Sequence, residues 1–462
     1  MKNRKIRKLV AAALAALLAC PALGADGVWN PKSYGAKADG KADDTAAIQA
    51  AIDGAAKSGG GIVRLCSGTF LSGTIYLKSN ISLEILPGAK LKGTTDKSRY
   101  NADDFCPQNR AIEKEHASGA HLIVALEVEN VSISGGGEID GGGLDFWLQV
   151  PKNAGVKFPQ KFAYPKWRPG QMLFFCESKN ISVRGVKLLN APFWTCFFHG
   201  CSDVFVSGVK IKNDPRGHNN DGIDIDACSG VVVSDCIIAT EDDSITLRGN
   251  PARLKNPGAV CRDVAISNCV LQSTCNGIRI GVGAGKIERC IISNILIKDT
   301  FQGISFVSAY HGNGGAKIKD LRLSNISIRA SRALNMITDS FNWGKSGGAG
   351  YIRDIAFSDC SFGGNRTSII AGHLEKNISG ISFRNCDFEL IGSPQKPKDC
   401  VPVNEMKDWK QNGGTADAAM LIRHAQNISF DGCRLKQPAG KPAWGKALDA
   451  ENAANLRAAP AL

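Results

Sequence analysis

The chain lacks long hydrophobic runs beyond its first 20 residues, so no later segment is predicted to span a membrane. It has no run of Lys or Arg of the kind that forms a nucleic-acid-binding arm, although its formal net charge is +13. Its Cys and His residues show no zinc-site spacing, and its 51 glycines follow no Gly-X-Y period, which excludes collagen. Because 43% of the 462 residues are hydrophobic, wholesale disorder is excluded too.

A secretory signal is predicted at the N-terminus. Five basic residues among the first eight precede the apolar run LVAAALAALLAC and the small residues around Gly24. This order is typical of a cleaved leader, here residues 1–25. Lipid attachment at Cys20 is the alternative, because the four residues that end there resemble a lipoprotein box. The mature protein is therefore expected to be secreted or periplasmic.

One short pattern recurs along the chain. A polar or small residue precedes an apolar–any–apolar triplet, which is followed by two small or polar residues and then an apolar residue or Cys. The copies begin at Asn130, Asn180, Asp203, Gly230, Asp263, Arg289, Asp320, Asp354, Gly380 and Asn427. This alternation is typical of strands with one buried face, and the spacing is typical of a repeat architecture. The intervals after Asn130 and Gly380 are about twice the others, which predicts one disguised copy in each.

The repeat predicts an all-β fold, a parallel β-helix whose coils each carry two or three short strands. A helical solenoid would need a 3.6-residue period that the copies lack, and a propeller would need more uniform repeats. One helix is predicted, over Thr45–Ala56, where it would cap the exposed end of the core. The β-helix is expected to occupy residues 26–436, and the Ala- and Pro-rich residues 437–462 are expected to form a loosely attached tail.

Cysteine positions support this fold. The seventh position of the repeat holds Cys236, Cys269, Cys360, Cys386 and Cys433. Equivalent positions stack in a β-helix, so these side chains are predicted to form an inward ladder of small hydrophobic groups. Disulfides are expected instead among irregularly placed cysteines, such as Cys196 with Cys201.

The carboxylates are densest in two successive coils. The segment NNDGIDID begins at Asn219, and EDDSITLR begins at Glu241. Asp221 and Asp242 are about one coil apart, and coils stack roughly 4.8 Å apart, so these acids are expected to face each other. Their repulsion would keep one protonated near neutral pH, as glycoside hydrolysis requires. Solvated turn aspartates or a calcium site are the alternatives.

These residues resemble the polygalacturonases, glycoside hydrolase family 28. The family's Asn-x-Asp motif matches Asn219 to Asp221, and its Asp-Asp motif matches Asp242 and Asp243. Similarity extends over about residues 28 to 320 and includes the segment that begins at Arg168, RPGQMLFF. The resemblance implies a single-stranded, right-handed parallel β-helix of the pectin-lyase type, an inverting reaction, and no metal or other cofactor.

The resemblance also implies residue roles. Asp242 would be the general acid, Asp221 and Asp243 would hold and deprotonate the attacking water, and Asn219 would position the sugar. Two departures affect the substrate.

Asn276 replaces the family's His, while Ser305 and Val307 replace the Arg and Lys that grip a galacturonate carboxylate. Arg248, Arg279 and His311 are candidate replacements. With Asn219 and Asn276 they form the predicted substrate-binding set.

The predicted function is therefore that of a secreted, monomeric, polygalacturonase-like glycosidase. Its expected substrate is a pectin-related polysaccharide or oligosaccharide of the plant cell wall, with no nucleic-acid partner. Two alternatives remain: a β-helix polysaccharide lyase, which would need a base and usually calcium or an arginine, and a non-catalytic glycan-binding β-helix.

Overall fold

A computed structural model describes residues 27–148, 162–308, 315–338, 350–372, 377–394, 417–437 and 443–458. The predicted leader, with Cys20, lies outside these ranges, and so does His311. Among the described residues, no helix is long and apolar enough to cross a membrane.

Short parallel strands make up most of this structure. In the N-terminal half they are β1 (Val28–Trp29), β2 (Asp39–Asp43), β3 (Gly61–Leu65), β4 (Gly68–Ser72), β5 (Ile75–Tyr76), β6 (Ile81–Ile85), β7 (Ala89–Gly93), β8 (Ile123–Leu126), β9 (Glu129–Ser134), β10 (Glu138–Asp140), β11 (Leu173–Cys176), β12 (Lys179–Arg184), β13 (Lys187–Leu189), β14 (Cys196–His199), β15 (Ser202–Ser207), β16 (Lys210–Lys212) and β17 (Ile223–Asp226). The remainder are β18 (Ser229–Ser234), β19 (Ile237–Thr240), β20 (Ile245–Arg248), β21 (Cys261–Ser267), β22 (Val270–Ser273), β23 (Asn276–Ile280), β24 (Lys286–Val307), β25 (Lys317–Ile337), β26 (Tyr351–Ser358), β27 (Ser361–Gly364), β28 (Ser368–Ala371), β29 (Ile378–Arg384), β30 (Asp387–Leu390), β31 (Ala418–Arg423), β32 (Ala425–Asp431), β33 (Arg434–Lys436) and β34 (Lys446–Glu451).

Helices are few among the described residues. The two α-helices are α1 (Thr45–Lys57) and α2 (Gly143–Phe146), and the short 3-10 helices are Pro31–Tyr34, Lys97–Arg99, Glu113–Glu115 and Pro251–Arg253.

The strands stack in three columns, and each coil contributes one strand to each column. In the middle of the chain, β12, β15, β18 and β21 stack in the first column, β13, β16, β19 and β22 in the second, and β14, β17, β20 and β23 in the third. The long strands β24 and β25 each run through all three columns, so each forms a whole coil. All these pairings are parallel, and the predicted parallel β-helix is confirmed.

Apolar side chains stack inside the coils. In the third column Ile223, Ile245, Ile278 and Ile304 occupy equivalent positions of successive coils, and each is 0% exposed. Burying such a side chain contributes about 1.5–3 kcal/mol, so the stacked core is the main source of stability.

The repeat copies lie in the first column. The first residue of every copy has a positive φ, from 53° at Asn180 to 68° at Gly380, a conformation that Gly, Asn and Asp adopt most readily. Asn180 donates to Asn130, which donates to Asn80, each at 2.8 Å, so exposed asparagines form a ladder along the coils.

Two sequence predictions about coil spacing and disulfides are wrong. Strand β9 pairs directly with β12, and β29 with β32, so each long interval is one coil with a long loop and contains no disguised copy. Cys196 and Cys201 are both free, which contradicts the suggested disulfide.

The seventh-position cysteines form the expected inward ladder. Cys236, Cys269, Cys360, Cys386 and Cys433 are all free and at most 3% exposed. The sulfurs of Cys236 and Cys269 lie 3.1 and 3.2 Å from the carbonyl oxygens two residues earlier, so each thiol can donate a hydrogen bond there.

The ends of the β-helix differ in how well they were predicted. Helix α1 confirms the capping helix, and it buries Ile48 and Ile52 against the first coil. The predicted tail is wrong for Lys446–Glu451, because β34 pairs in parallel with β31 and extends the third column.

Candidate active site

The predicted catalytic acids lie in turns that lead into third-column strands. Asp221 precedes β17, Asp242 and Asp243 precede β20, and Asn276 begins β23. Backbone hydrogen bonds join these turns: Gly222 N donates to Asp243 O at 2.8 Å, and Ser244 N donates to Asn276 O at 2.9 Å. Successive coils therefore place the acids together, as the one-coil spacing predicted.

Asp243 is held by two donors. Its Oδ1 accepts from Asn276 Nδ2 at 2.6 Å and its Oδ2 from Arg279 Nη1 at 3.2 Å. Burial raises the pKa of Asp243 to about 6, and the Arg279 guanidinium limits that rise. Both Asp243 oxygens are therefore engaged by neighbouring side chains.

Asp221 is buried as deeply but is held differently. Its side chain is 3% exposed, and its Oδ1 has no hydrogen-bond partner among the described residues. Burial raises the pKa of Asp221 well above its ordinary value, and the charges of Asp224 and Asp242 raise it further. Once it is ionised, a carboxylate with a raised pKa is a stronger base, so it is suited to taking a proton from water.

Asp242 is the most accessible of the three acids. It is partly exposed, and its Oδ2 accepts from Asn219 Nδ2 at 3.4 Å. Its backbone oxygen accepts from Thr240 Oγ1 at 2.7 Å and Ser273 Oγ at 2.6 Å, which holds the turn. The carboxyl can therefore meet a substrate from the open side of the site.

Asn219 lies beside the acids, where the sequence placed it. It has a φ of 57°, a left-handed conformation that Asn tolerates. Its backbone N donates to Glu241 Oε2 at 2.9 Å. Glu241 was not predicted as a site residue, yet it fixes the position of the side chain that contacts Asp242.

Arg248 and Arg279 both have internal partners. Arg248 Nη1 lies 3.3 Å from Asp224 Oδ1, and its guanidinium is 4.3 Å from the centre of the Trp194 ring. Burial raises the pKa of Asp224 to about 7, although Arg248 opposes that rise. Arg279 pairs with Asp243. The predicted roles of these arginines in binding a uronate stay predictions, and the predicted role of His311 lies outside the described residues.

Arg168 links the loops around the site. It is 0% exposed, and its guanidinium donates to the backbone oxygens of Glu115, His116, Pro192 and His218. Its Nη2 also lies 3.4 Å from Asn219 Oδ1. Burial lowers the pKa of Arg168 to about 10. The sequence resemblance included this residue but gave it no role.

Three rings stack beside Asn219. Tyr164 stacks on His116 at 4.5 Å and on His218 at 4.3 Å between ring centroids. The Tyr164 hydroxyl donates to Asn219 Oδ1 at 3.5 Å. These rings come from separate loops, and they form a wall next to the acids.

One group among the described residues has a spacing that a metal could bridge. Ligand atoms of Asp242, Asp243 and Cys275 lie within 4.8 Å of one another. Asp243 already accepts from Asn276 and Arg279, and a cation would have to displace those donors. These hydrogen bonds therefore favour the ion pair between Asp243 and Arg279 over a metal ion bound at this position.

Comparison with known proteins finds that the chain is similar to glycoside hydrolases. Residues 67–261 match the model of the glycosyl hydrolases family 28. An exopolygalacturonase of Zea mays is 26% identical over 359 residues, which cover 68% of this chain and 80% of the maize protein. An endo-polygalacturonase of Pectobacterium parmentieri is 26% identical over 330 residues, which cover 63% of this chain and 79% of that protein.

Solved structures show the same fold at low sequence identity. A family 28 exopolygalacturonase of Yersinia enterocolitica aligns with a TM-score of 0.69 and 18% identity, over 93% of this chain and 78% of that chain. An exopolygalacturonase of Thermotoga maritima aligns with a TM-score of 0.60 and 19% identity, over 95% and 93%. The predicted fold, a right-handed parallel β-helix, is confirmed.

Proposed function

Because the chain is a divergent member of glycosyl hydrolase family 28, and therefore a glycosidase, we propose that it hydrolyses pectin-related polysaccharides or oligosaccharides with inversion at the anomeric carbon. The observation that carries this proposal is the arrangement of three acids in turns of adjacent coils. Asp242 is partly exposed, Asp243 is engaged by two donors, and Asp221 has an oxygen without a partner among the described residues.

In the proposed reaction Asp242 gives its proton to the glycosidic oxygen as the bond from that oxygen to the anomeric carbon breaks. A water molecule attacks the same carbon from the opposite face, and its proton passes to a carboxylate. Inverting enzymes hold their two carboxyls about 6.5–9.5 Å apart to leave room for that water. Proton exchange with solvent then restores both acids.

Asp221 is the better acceptor of the water's proton. Asn276 and Arg279 engage both oxygens of Asp243, so Asp243 orients the water and stabilises the charge that develops. Asp221 keeps one oxygen without a partner among the described residues, and its raised pKa makes it a stronger base once it is ionised.

A substrate screen tests this function. The protein would be incubated with pectin fractions and oligosaccharides, with and without a chelator, and new reducing ends would be measured. We expect reducing ends without any product that absorbs in the ultraviolet and without sensitivity to the chelator. Unsaturated products that require calcium would indicate a lyase, and binding without cleavage would indicate a glycan-binding protein.

We also propose export through cleavage after the N-terminal leader and action as a monomer. The order of basic, apolar and small residues in positions 1–25 supports export. N-terminal sequencing of the protein recovered outside the cytoplasm would test it. A start near Ala25 is expected, whereas a lipid-modified Cys20 would contradict cleavage at that point.

A further inference from the structure

The second column of strands has a regular outward side over six successive coils. In each of these coils one apolar residue of the column points inward and is at most 2% exposed; in order they are Leu188, Ile211, Ile238, Leu271, Ile297 and Ile328. Side chains alternate along a strand, so the residues directly before and after each of these six point outward. These outward residues together are named the second-column face.

The second-column face contains cations and no acid. Its charged residues are Lys187, Lys210, Lys212, Lys298 and Arg329. Lys187 pairs with Glu138 at 3.3 Å, whereas the other four cations are exposed and have no ion pair within the described part of the chain.

Two acids border the face in the turns, Asp235 and Asp299, and Asp235 already accepts from Asn268 Nδ2 at 3.2 Å. Four exposed cations against two bordering acids leave this surface positive. A positive surface of this kind attracts an anionic partner.

Aliphatic side chains lie between the cations. Ile237, Val270 and Leu296 follow Lys210 in equivalent positions of the next three coils. Ile237 is 51% exposed and Leu296 is 41% exposed. The C–H face of a sugar ring is apolar and can pack on such side chains, while a carboxylate of the same sugar reaches a neighbouring cation. The face therefore offers both kinds of contact that an acidic sugar chain needs.

The cations are too far apart to bind one small anion together. Lys212 and Lys298 occupy equivalent positions three coils apart, which is about 14 Å at roughly 4.8 Å per coil. An extended chain with repeated negative charges matches this distance better than a single uronate. A single-stranded nucleic acid is also such a chain, but the face has no aromatic side chain on which a base could stack.

The second-column face adjoins the candidate active site. Strand β19 runs directly into Glu241 and Asp242, and β22 ends three residues before Asn276. A polymer held on this face would lie beside the turns that carry the proposed catalytic acids. Within the site Arg248 and Arg279 are paired with acids, so the attraction for an acidic polymer would come mainly from this neighbouring face.

We propose that the second-column face is a non-catalytic binding surface for an extended polyuronate, whose carboxylates lie beside Lys210, Lys212, Lys298 and Arg329. This inference rests on the proposed function and narrows its substrates to glycans that contain an acidic stretch. The face holds the polymer near the site and so raises the local concentration of bonds that the site can cleave.

The binding test uses the whole chain with Asp242→Asn, so that the polymer is cleaved slowly. Polygalacturonate biotinylated at its reducing end is immobilised on a biosensor, and the same polymer with its carboxyl groups reduced to alcohols is the neutral reference. The test variant carries Lys210→Gln, Lys212→Gln, Lys298→Gln and Arg329→Gln. The matched control carries Lys32→Gln, Lys41→Gln, Lys57→Gln and Arg384→Gln, the same loss of charge at exposed positions outside the face. Melting scans check that both variants are folded.

We expect the test variant to bind polygalacturonate at least about tenfold more weakly at low salt, and the control variant to stay within about threefold of the parent protein. Added salt should remove most of this difference, because exposed charges are screened. The reduced polymer should bind equally to both variants. An equal change in both variants, or binding of the reduced polymer as tight as that of polygalacturonate, would overturn the proposal. Stronger competition by DNA than by free polygalacturonate would overturn the choice of a polysaccharide.

Hydrolysis separates this inference from the proposed function. With Asp242 restored, loss of the four cations should raise KM for the polymer and leave kcat and the turnover of a short oligosaccharide unchanged. Polymer binding that depends on the four cations, without hydrolysis of either substrate, would overturn the hydrolase and leave the binding face standing. Hydrolysis of the polymer with the same KM in the test and control variants would keep the hydrolase and overturn the face.

Discussion

At the residue scale, the roles proposed for the three acids rest on which of their carboxyl oxygens already accept hydrogen bonds. Asp243 accepts from Asn276 and Arg279, Asp221 keeps an oxygen without a partner among the described residues, and Asp242 is partly exposed. Three chemically identical side chains therefore have three different environments. Such differences assign acid and base roles in glycosidases.

Replacing the proposed general acid should slow the reaction strongly without unfolding the protein. We expect Asp242→Asn to lower kcat by about 10²–10⁴-fold, because the amide cannot protonate the leaving oxygen. The melting temperature should stay close to that of the wild type, since Asp242 is partly exposed. The exposed Asp104→Asn is the matched control. A fully active Asp242→Asn protein would refute the assignment.

Removing the cation beside Asp243 should shift the pH dependence. Arg279 opposes the rise in the pKa of Asp243, so Arg279→Gln should raise that pKa further and lower the ionised fraction at acid pH. The acidic limb of kcat/KM should therefore move to higher pH, and Arg279→Lys should restore part of the original profile. If Arg279 gripped a uronate instead, KM would rise for that substrate and the pH profile would stay in place.

At the element scale, loops placed far apart in the chain meet through one buried arginine. Arg168 donates to the backbone of Glu115 and His116 from one loop, to Pro192 from a second, and to His218 from a third. The third-column strands position the acids, while Arg168 positions the loops that face them. The geometry of the site therefore depends on the register of the coils and on the hydrogen bonds that Arg168 donates.

Replacing Arg168 should lower both the stability of the protein and its turnover of substrate. Arg168→Met keeps much of the volume but leaves buried backbone oxygens without donors, which costs about 1–3 kcal/mol for each such group. We expect the free energy of unfolding, measured by denaturant titration, to fall by at least about 3 kcal/mol. The exposed Arg110→Met should change stability by less than about 0.5 kcal/mol. Equal stability of the two variants would contradict the role of Arg168.

At the scale of the whole molecule, the buried acids make stability depend on pH. Burial raises the pKa of Asp224 from 3.8 to about 7. Between these values the unfolded chain is ionised while the folded protein keeps the proton, so stability falls as the pH rises through this window.

Asp224→Asn removes this dependence, so its melting temperature relative to the wild type should be higher at pH 8 than at pH 4. Melting scans at both pH values would measure it. A difference that stays constant with pH, or runs the other way, would contradict the assigned pKa.

The fold was predictable from the repeat, because apolar and polar residues alternate within each copy and this alternation indicates a strand with one buried face. It also placed Asp221 near Asp242, since one coil separates them. Coil length was less predictable: the long intervals after Asn130 and Gly380 are loops within one coil, and a loop leaves no period in the sequence.

The partners of the site arginines could not be read from spacing alone. Arg248 lies one coil from Asp226 in the outward face of the third column, and Arg279 lies one coil from Thr246. To predict that register from the sequence, one must know where each coil begins. Glu115 and Arg168 come from loops outside the repeat, so no pattern linked them to the acids.

The most direct test of the central claim is the configuration of the first product. Proton NMR of a fresh digest distinguishes the two anomers before they equilibrate. Attack by a water held at Asp221, opposite an oxygen protonated by Asp242, predicts that the newly formed reducing end has the configuration opposite to that of the bond cleaved. A product with the original configuration would require a covalent intermediate on one of these carboxylates, and it would contradict this account.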